Sequence, residues 1–178
     1  MFVIRANYYQ GKRQEGRLVH MIVFKASFFY TKFSIAWRGR VIPVGQRNYI
    51  VITNNPLVSD KLHEIREVIY KEASYEGLLA EVRDRIHEGH VLLTHPLSGS
   101  VKPNETPYKS LIVSREAHGF DAQHGEMIAS AIAVFDKFKP LGRTFPPSVL
   151  EDFQLIDYTL LAGAIGFDAQ AGLSKINR

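Results

Sequence analysis

From Asn48 onward the chain alternates short apolar, β-branched runs with segments whose apolar residues recur at helical spacing. No other feature restricts the fold as strongly. Tyr49-Ile50-Val51-Ile52 reads as a strand. Asn55 and Pro56 then read as the N-cap and first residue of a helix with Val58, Leu62 and Ile65 on one side. Glu67 to Tyr70 is a second strand built on Val68 and Ile69. Ser74 caps a second helix whose face is Leu78, Leu79, Val82 and Ile86, and Gly89 ends it. Val91-Leu92-Leu93 and Ser110 to Val113 are the third and fourth strands. Asp121 opens a long helix with Ile128, Ala131, Ile132, Phe135 and Phe138 on its face, stopped by Pro140. Ser148 and Glu151 form a capping box for a last helix that buries Phe153, Ile156, Leu160 and Leu161.

Strands alternating with amphipathic helices predict an α/β fold: a single domain over residues 48–178, with a small, mainly parallel sheet flanked by helices in the Rossmann or flavodoxin manner. Right-handed crossovers place the carboxyl ends of the first and third strands on one rim, where open α/β sheets bind ligands. That rim carries Thr53, Asn54 and Asn55 from one strand and Thr94, His95, Ser98, Gly99 and Ser100 from the other, with Lys102 and Asn104 further along the same connector. These ten residues are the candidate ligand-binding set.

Each has a structural reading beside the functional one. Asn54 and Asn55 sit at a helix N-terminus, where unpaired N–H groups suit a small anion; Asn55 alone reads better as a cap. His95 follows the third strand directly and is the candidate acid/base, or a histidine bonded to its own loop. Ser98-Gly99-Ser100 wraps a ligand with backbone donors or makes a tight turn. Neither serine lies in a G-x-S-x-G elbow. Lys102 neutralises an anion or is solvated. Asn104-Glu105-Thr106 matches a glycosylation acceptor, which without a secretory signal is a chance match. No Walker or GxGxxG loop follows the first strand, so no nucleotide cofactor is expected. His87, His90 and His95 fall short of a metal site because Gly89 separates the first two, and no metal is expected. His118 and His124 read as surface residues.

Residues 1–47 behave differently. They hold nine Lys/Arg against one acid, Glu15, whereas the rest of the chain holds thirteen against seventeen. The high isoelectric point therefore belongs to this irregular basic extension, and nucleic-acid binding is not expected of the domain. Met21 to Trp37, its most apolar piece, is interrupted by Lys25 and Lys32 and is too short to span a membrane. Three readings compete: a basic arm for phosphate backbones or anionic lipid, an added hairpin formed by VHMIVF and ASFFYTKFSIAW, or upstream DNA translated from a misplaced start. The third is the expectation, because Trp37-Arg38-Gly39 can be encoded as a purine-rich ribosome-binding sequence ahead of Val41, a possible GTG start. The chain has no cysteine, so disulfides, thiolate metal sites and a cysteine nucleophile are excluded.

YIVITNNPLV (Tyr49–Val58), VRDRIHEGHVLLTHPLSGSVKPNETPYKSLIV (Val82–Val113) and LIDYTLL (Leu155–Leu161) together resemble the GrdX family over about residues 48–165. These small proteins are encoded with glycine, sarcosine and betaine reductase components in amino-acid-fermenting anaerobic bacteria. The resemblance implies a cytoplasmic, bacterial protein whose partners are those reductase components. It carries no assigned catalytic residues. Two functions follow as expectations: an accessory protein of the glycine reductase system that binds a small anionic ligand or a partner segment at the rim, or an enzyme acting on a small anionic metabolite through His95.

Overall fold

The computed structural model describes residues 48–97, 106–138 and 144–166. The basic extension, Ser98, Gly99, Ser100, Lys102 and Asn104, and the tail beyond Gly166 lie outside the described residues. The elements follow in the order β1 (Tyr49–Thr53), α1 (Pro56–Leu62), β2 (Glu67–Tyr70), α2 (Tyr75–His87), β3 (His90–Leu92), β4 (Ser110–Ala117), α3 (Ala122–Lys137) and α4 (Pro147–Ala164).

The sheet order is β2-β1-β4-β3. β1 and β2 are parallel, but β4 runs antiparallel to both β1 and β3. The sheet is therefore mixed, not mainly parallel as the alternation of elements predicted. The connector after β3 contributes no crossover helix among its described residues, and β4 returns beside β3 as its antiparallel neighbour. Because β1 and β3 both oppose β4, they point the same way, and their carboxyl ends share one rim with the start of β4.

Both faces of the sheet are covered, which explains why β1 and β4 read as unbroken apolar runs. Side chains alternate across the pleat. Ile50 and Ile52 of β1 and Leu111 and Val113 of β4 pack with Leu78, Leu79, Val82 and Ile86 of α2 and Ile128 and Phe135 of α3. Val51 and Ile112 point the other way, into Val58 and Leu62 of α1 and Tyr158, Leu161 and Ile165 beside or within α4. The result is a sheet between two helical layers.

Local signals behave as physics requires at most helix ends. Asn55, Ser74 and Asp121 each accept a backbone N–H as side-chain N-caps. Gly89 has φ of 101° between α2 and β3, and a Cβ there would lie 2.7 Å from the Gly119 nitrogen. The predicted capping box fails. Pro146 precedes α4, which has no side-chain cap, because the helix starts at Pro147 and takes Ser148 inside its first turn. Phe138 is 48% exposed because α3 ends at Lys137, one residue too early to aim it inward. His124, expected at the surface, is buried on α3.

Two substitutions check this packing. Leu79→Ala removes a fully buried side chain and is expected to cost about 3 kcal/mol, whereas Phe138→Ala should stay within about 0.5 kcal/mol of the parent. Urea unfolding followed by circular dichroism measures both.

Candidate functional site

The shared rim is polar and mostly buried. Thr53, Asn54 and Asn55 at the end of β1, Lys109 and Ser110 at the start of β4, and Asp157 of α4 are all buried polar or charged residues. They come together because β1 and β4 are adjacent, with Thr53 opposite Ser110, and because α4 packs across that end of the sheet.

Asp157 is the hub. Its Oδ1 accepts the Ser110 backbone N–H at 2.9 Å. Its Oδ2 accepts the Ser110 hydroxyl at 2.7 Å and the Asn55 side-chain amide at 2.9 Å. Since Ser110 donates its only hydroxyl proton to the carboxylate, the 2.7 Å contact between Ser110 and Thr53 must be donated by Thr53. Thr53 Oγ1 in turn accepts the Asn55 backbone N–H at 2.9 Å. A directed chain of donors therefore runs from the Asn55 backbone through two hydroxyls to one carboxylate, with each bond polarising the next.

The two asparagines are held just as firmly. Asn54 donates Nδ2 to Ala73 O at 2.9 Å and to Pro107 O at 2.8 Å, and accepts the Lys109 N–H at 2.8 Å. Asn55 donates to Gln154 O as well as to Asp157, and its Oδ1 accepts the Leu57 N–H at 3.0 Å. Both amides are thus occupied by the chain's own groups, and Asn54 acts as a brace between β1, the residues before α2 and the approach to β4.

Thr94 and His95 reach the same rim from β3. Thr94 Oγ1 accepts the Ile112 N–H at 2.9 Å. His95 is exposed, and its Nδ1 lies 2.9 Å from Leu97 O and 3.1 Å from Leu97 N, donating to the first in one tautomer and accepting from the second in the other. Among the described residues no hydrogen bond joins His95 to Thr53, Asn54 or Asn55. The structure brings Thr53, Asn54, Asn55, Thr94 and His95 to one edge, with the first three buried and the last exposed. Among the described residues no group of three His, Asp or Glu side chains stands together as a metal site. His90 instead contacts Ser114 O through Nδ1.

The sequence reading missed Lys109, Ser110, Tyr75 and Asp157. Lys109 is 5% exposed and Asp157 6%. Burial pushes the Lys109 amine below its usual range, and the negative charge of Asp157 partly offsets that. Tyr75 donates its hydroxyl to Pro96 O at 3.2 Å. Burial, and then Asp157, push its phenol well above the usual range. The rim thus buries an amine and a carboxylate among neutral donors.

The family model described as GrdX-like protein matches residues 50–166, which include every described residue of the rim. Comparison with curated proteins and with solved structures finds no match.

Two outcomes follow from the network. Asp157→Asn places a second amide against that of Asn55 and is expected to lower stability by about 3 kcal/mol in urea unfolding, with Ser110→Ala lowering it by about 1 kcal/mol. The folded chain binds the Lys109 proton less tightly than the unfolded chain, so stability should rise with pH from the depressed folded value up to the unfolded lysine value of about 10.4. The raised Tyr75 acts in the opposite sense only above about pH 10. Unfolding midpoints measured as pH approaches about 10 should climb in the parent and climb less in Lys109→Met.

Proposed function

The chain belongs to the GrdX-like family, and we propose that it is an accessory protein of the glycine reductase system whose rim binds a small anionic ligand or an anionic segment of a reductase component. One observation carries this reading: Lys109 and Asp157 are both buried at the edge of the sheet where α/β folds bind ligands, and the carboxylate's charge acts on the amine. Burying ionisable groups costs several kcal/mol and adds little net stability over apolar residues of the same size. Perturbed ionisable groups of this kind concentrate at functional sites.

In this account Thr53, Asn54, Asn55, Ser110 and Asp157 act as the frame. They fix the end of β1 against the start of β4 and hold Lys109 in place. Lys109 supplies the positive charge, and Thr94 and His95 supply contacts from the β3 side. Binding of an anion raises the proton affinity of the amine, so affinity should fall as pH rises through the depressed lysine value. Among the described residues no helix is long and apolar enough to cross a membrane, and the reading does not need one.

Calorimetric titration with acetyl phosphate, glycine and betaine, together with co-purification against the reductase subunits, tests the proposal. The expected result is saturable heat with acetyl phosphate or with the carboxylate-bearing glycine or betaine, or capture of a subunit. Either signal should fall at least about tenfold in Lys109→Met, the loss expected for one charge-assisted contact. Absence of both heat and capture in the parent protein contradicts the reading.

A further inference from the structure

Strand β2 takes no part in the rim. Among the described residues it lies at one end of the sheet, and its burial pattern is that of a half-covered edge, with Glu67 and Tyr70 exposed and Val68 and Ile69 partly buried. Tyr70 is 43% exposed, as is Ile65 just before the strand. An open edge with apolar residues on it is a template for another strand.

The direction of its free backbone groups is fixed. Lys71 donates its N–H to Thr53 O at 2.9 Å, toward β1. In a parallel ladder alternate residues turn their backbone to opposite sides, so Glu67, Ile69 and Lys71 face β1, while Val68 and Tyr70 direct N–H and C=O outward. An antiparallel partner of the same sequence must oppose outward residues with outward residues. Only three registers centred on these residues do so: Val68 with Val68, Tyr70 with Tyr70, or Val68 with Tyr70.

Charge selects among them. The stretch from Arg66 to Glu72 reads R-E-V-I-Y-K-E. With Val68 opposite Tyr70, the dyad passes through Ile69. Glu67 then faces the partner's Lys71, and Arg66 faces the partner's Glu72, each contact occurring twice. In the Val68–Val68 register Glu67 faces isoleucine and Arg66 faces tyrosine. In the Tyr70–Tyr70 register Ile69 faces lysine and Val68 faces glutamate. Only one register pairs opposite charges at both ends and apolar residues in the middle, the combination that stabilises cross-strand neighbours. The side chains concerned already have in-chain partners, Glu67 with Arg115, Lys71 with Glu81 and Arg66 with the Tyr49 hydroxyl; Glu67 and Lys71 each remain 42% exposed and open to a second.

We propose that β2 is a self-complementary edge through which two copies of this chain pair antiparallel about Ile69, joining their sheets into one continuous sheet across a twofold axis. A twofold axis makes the contact isologous and closed, so pairing stops at a dimer.

The test uses the full chain in sedimentation velocity and light scattering at micromolar concentration. The parent is expected to be a dimer. Glu67→Lys and Lys71→Glu each set like charges opposite one another twice, and each should weaken the dimer about tenfold while circular dichroism stays unchanged. Mixing the two variants sets opposite charges at both ends again and should return dimers of mixed composition, which mass labelling of one chain detects. That rescue separates loss of the interface from loss of the fold. A monomeric parent overturns the proposal, including the case in which another segment of the same chain covers the edge. So does a dimer indifferent to both substitutions, or a mixture that fails to pair.

Discussion

The carboxylate of Asp157 is the contact on which the arrangement of the rim depends. It receives three hydrogen bonds from two residues that belong to different elements: Asn55, between β1 and α1, and Ser110, at the first position of β4. A single side chain of α4 thereby fixes where β1 ends, where β4 begins and how the last helix lies across them. Apolar packing holds α4 to the sheet without direction, through Tyr158 and Leu161 against Val51 and Ile112. The carboxylate adds the direction, since a shift by one residue would leave it buried without its donors.

From that constraint the character of the rim follows. Thr53, Asn54 and Asn55 are the residues a sequence reading selects as ligand donors, and they are bonded to the chain itself. Their work is to build a stiff wall. What the wall encloses is chemically the more pointed feature: an amine and a carboxylate removed from water together at the edge of a sheet. The mixed sheet makes this possible. Had β4 run parallel to β1, its amino end, with Lys109 and Ser110, would have lain at the opposite rim from Asn55.

The elements were legible in the sequence because they obey local rules. The strand Glu67–Tyr70, the caps Asn55, Ser74 and Asp121, and the α2 face of Leu78, Leu79, Val82 and Ile86 all follow from period and capping alone. The direction of β4 was not, because a connector of proline and glycine carries no mark of whether it returns or crosses over. The shared rim was legible through the topology rule, but the buried Lys109 and Asp157 were not. Asp157 did leave a trace. It stands four residues after Phe153 and four before Leu161, so an acid falls on the apolar stripe of α4. An acid in that position is either an error of packing or the centre of a buried network. Lys109 left none, since a lysine ahead of a strand is ordinary until the strand's neighbours are known. The Ser148 cap failed for a different reason: Pro147 suits the first helical position, and it starts the helix before the serine can cap it.

The most direct test of the Asp157 network is hydrogen exchange measured by NMR on the Ser110 backbone N–H and the Asn55 side-chain amide, two groups that donate to the same carboxylate. If that carboxylate anchors the rim, both should exchange as slowly as the core amides of Val51 and Ile112, opening only when the domain unfolds. Exchange of either group at the rate of an exposed loop, with the core still protected, would contradict the account.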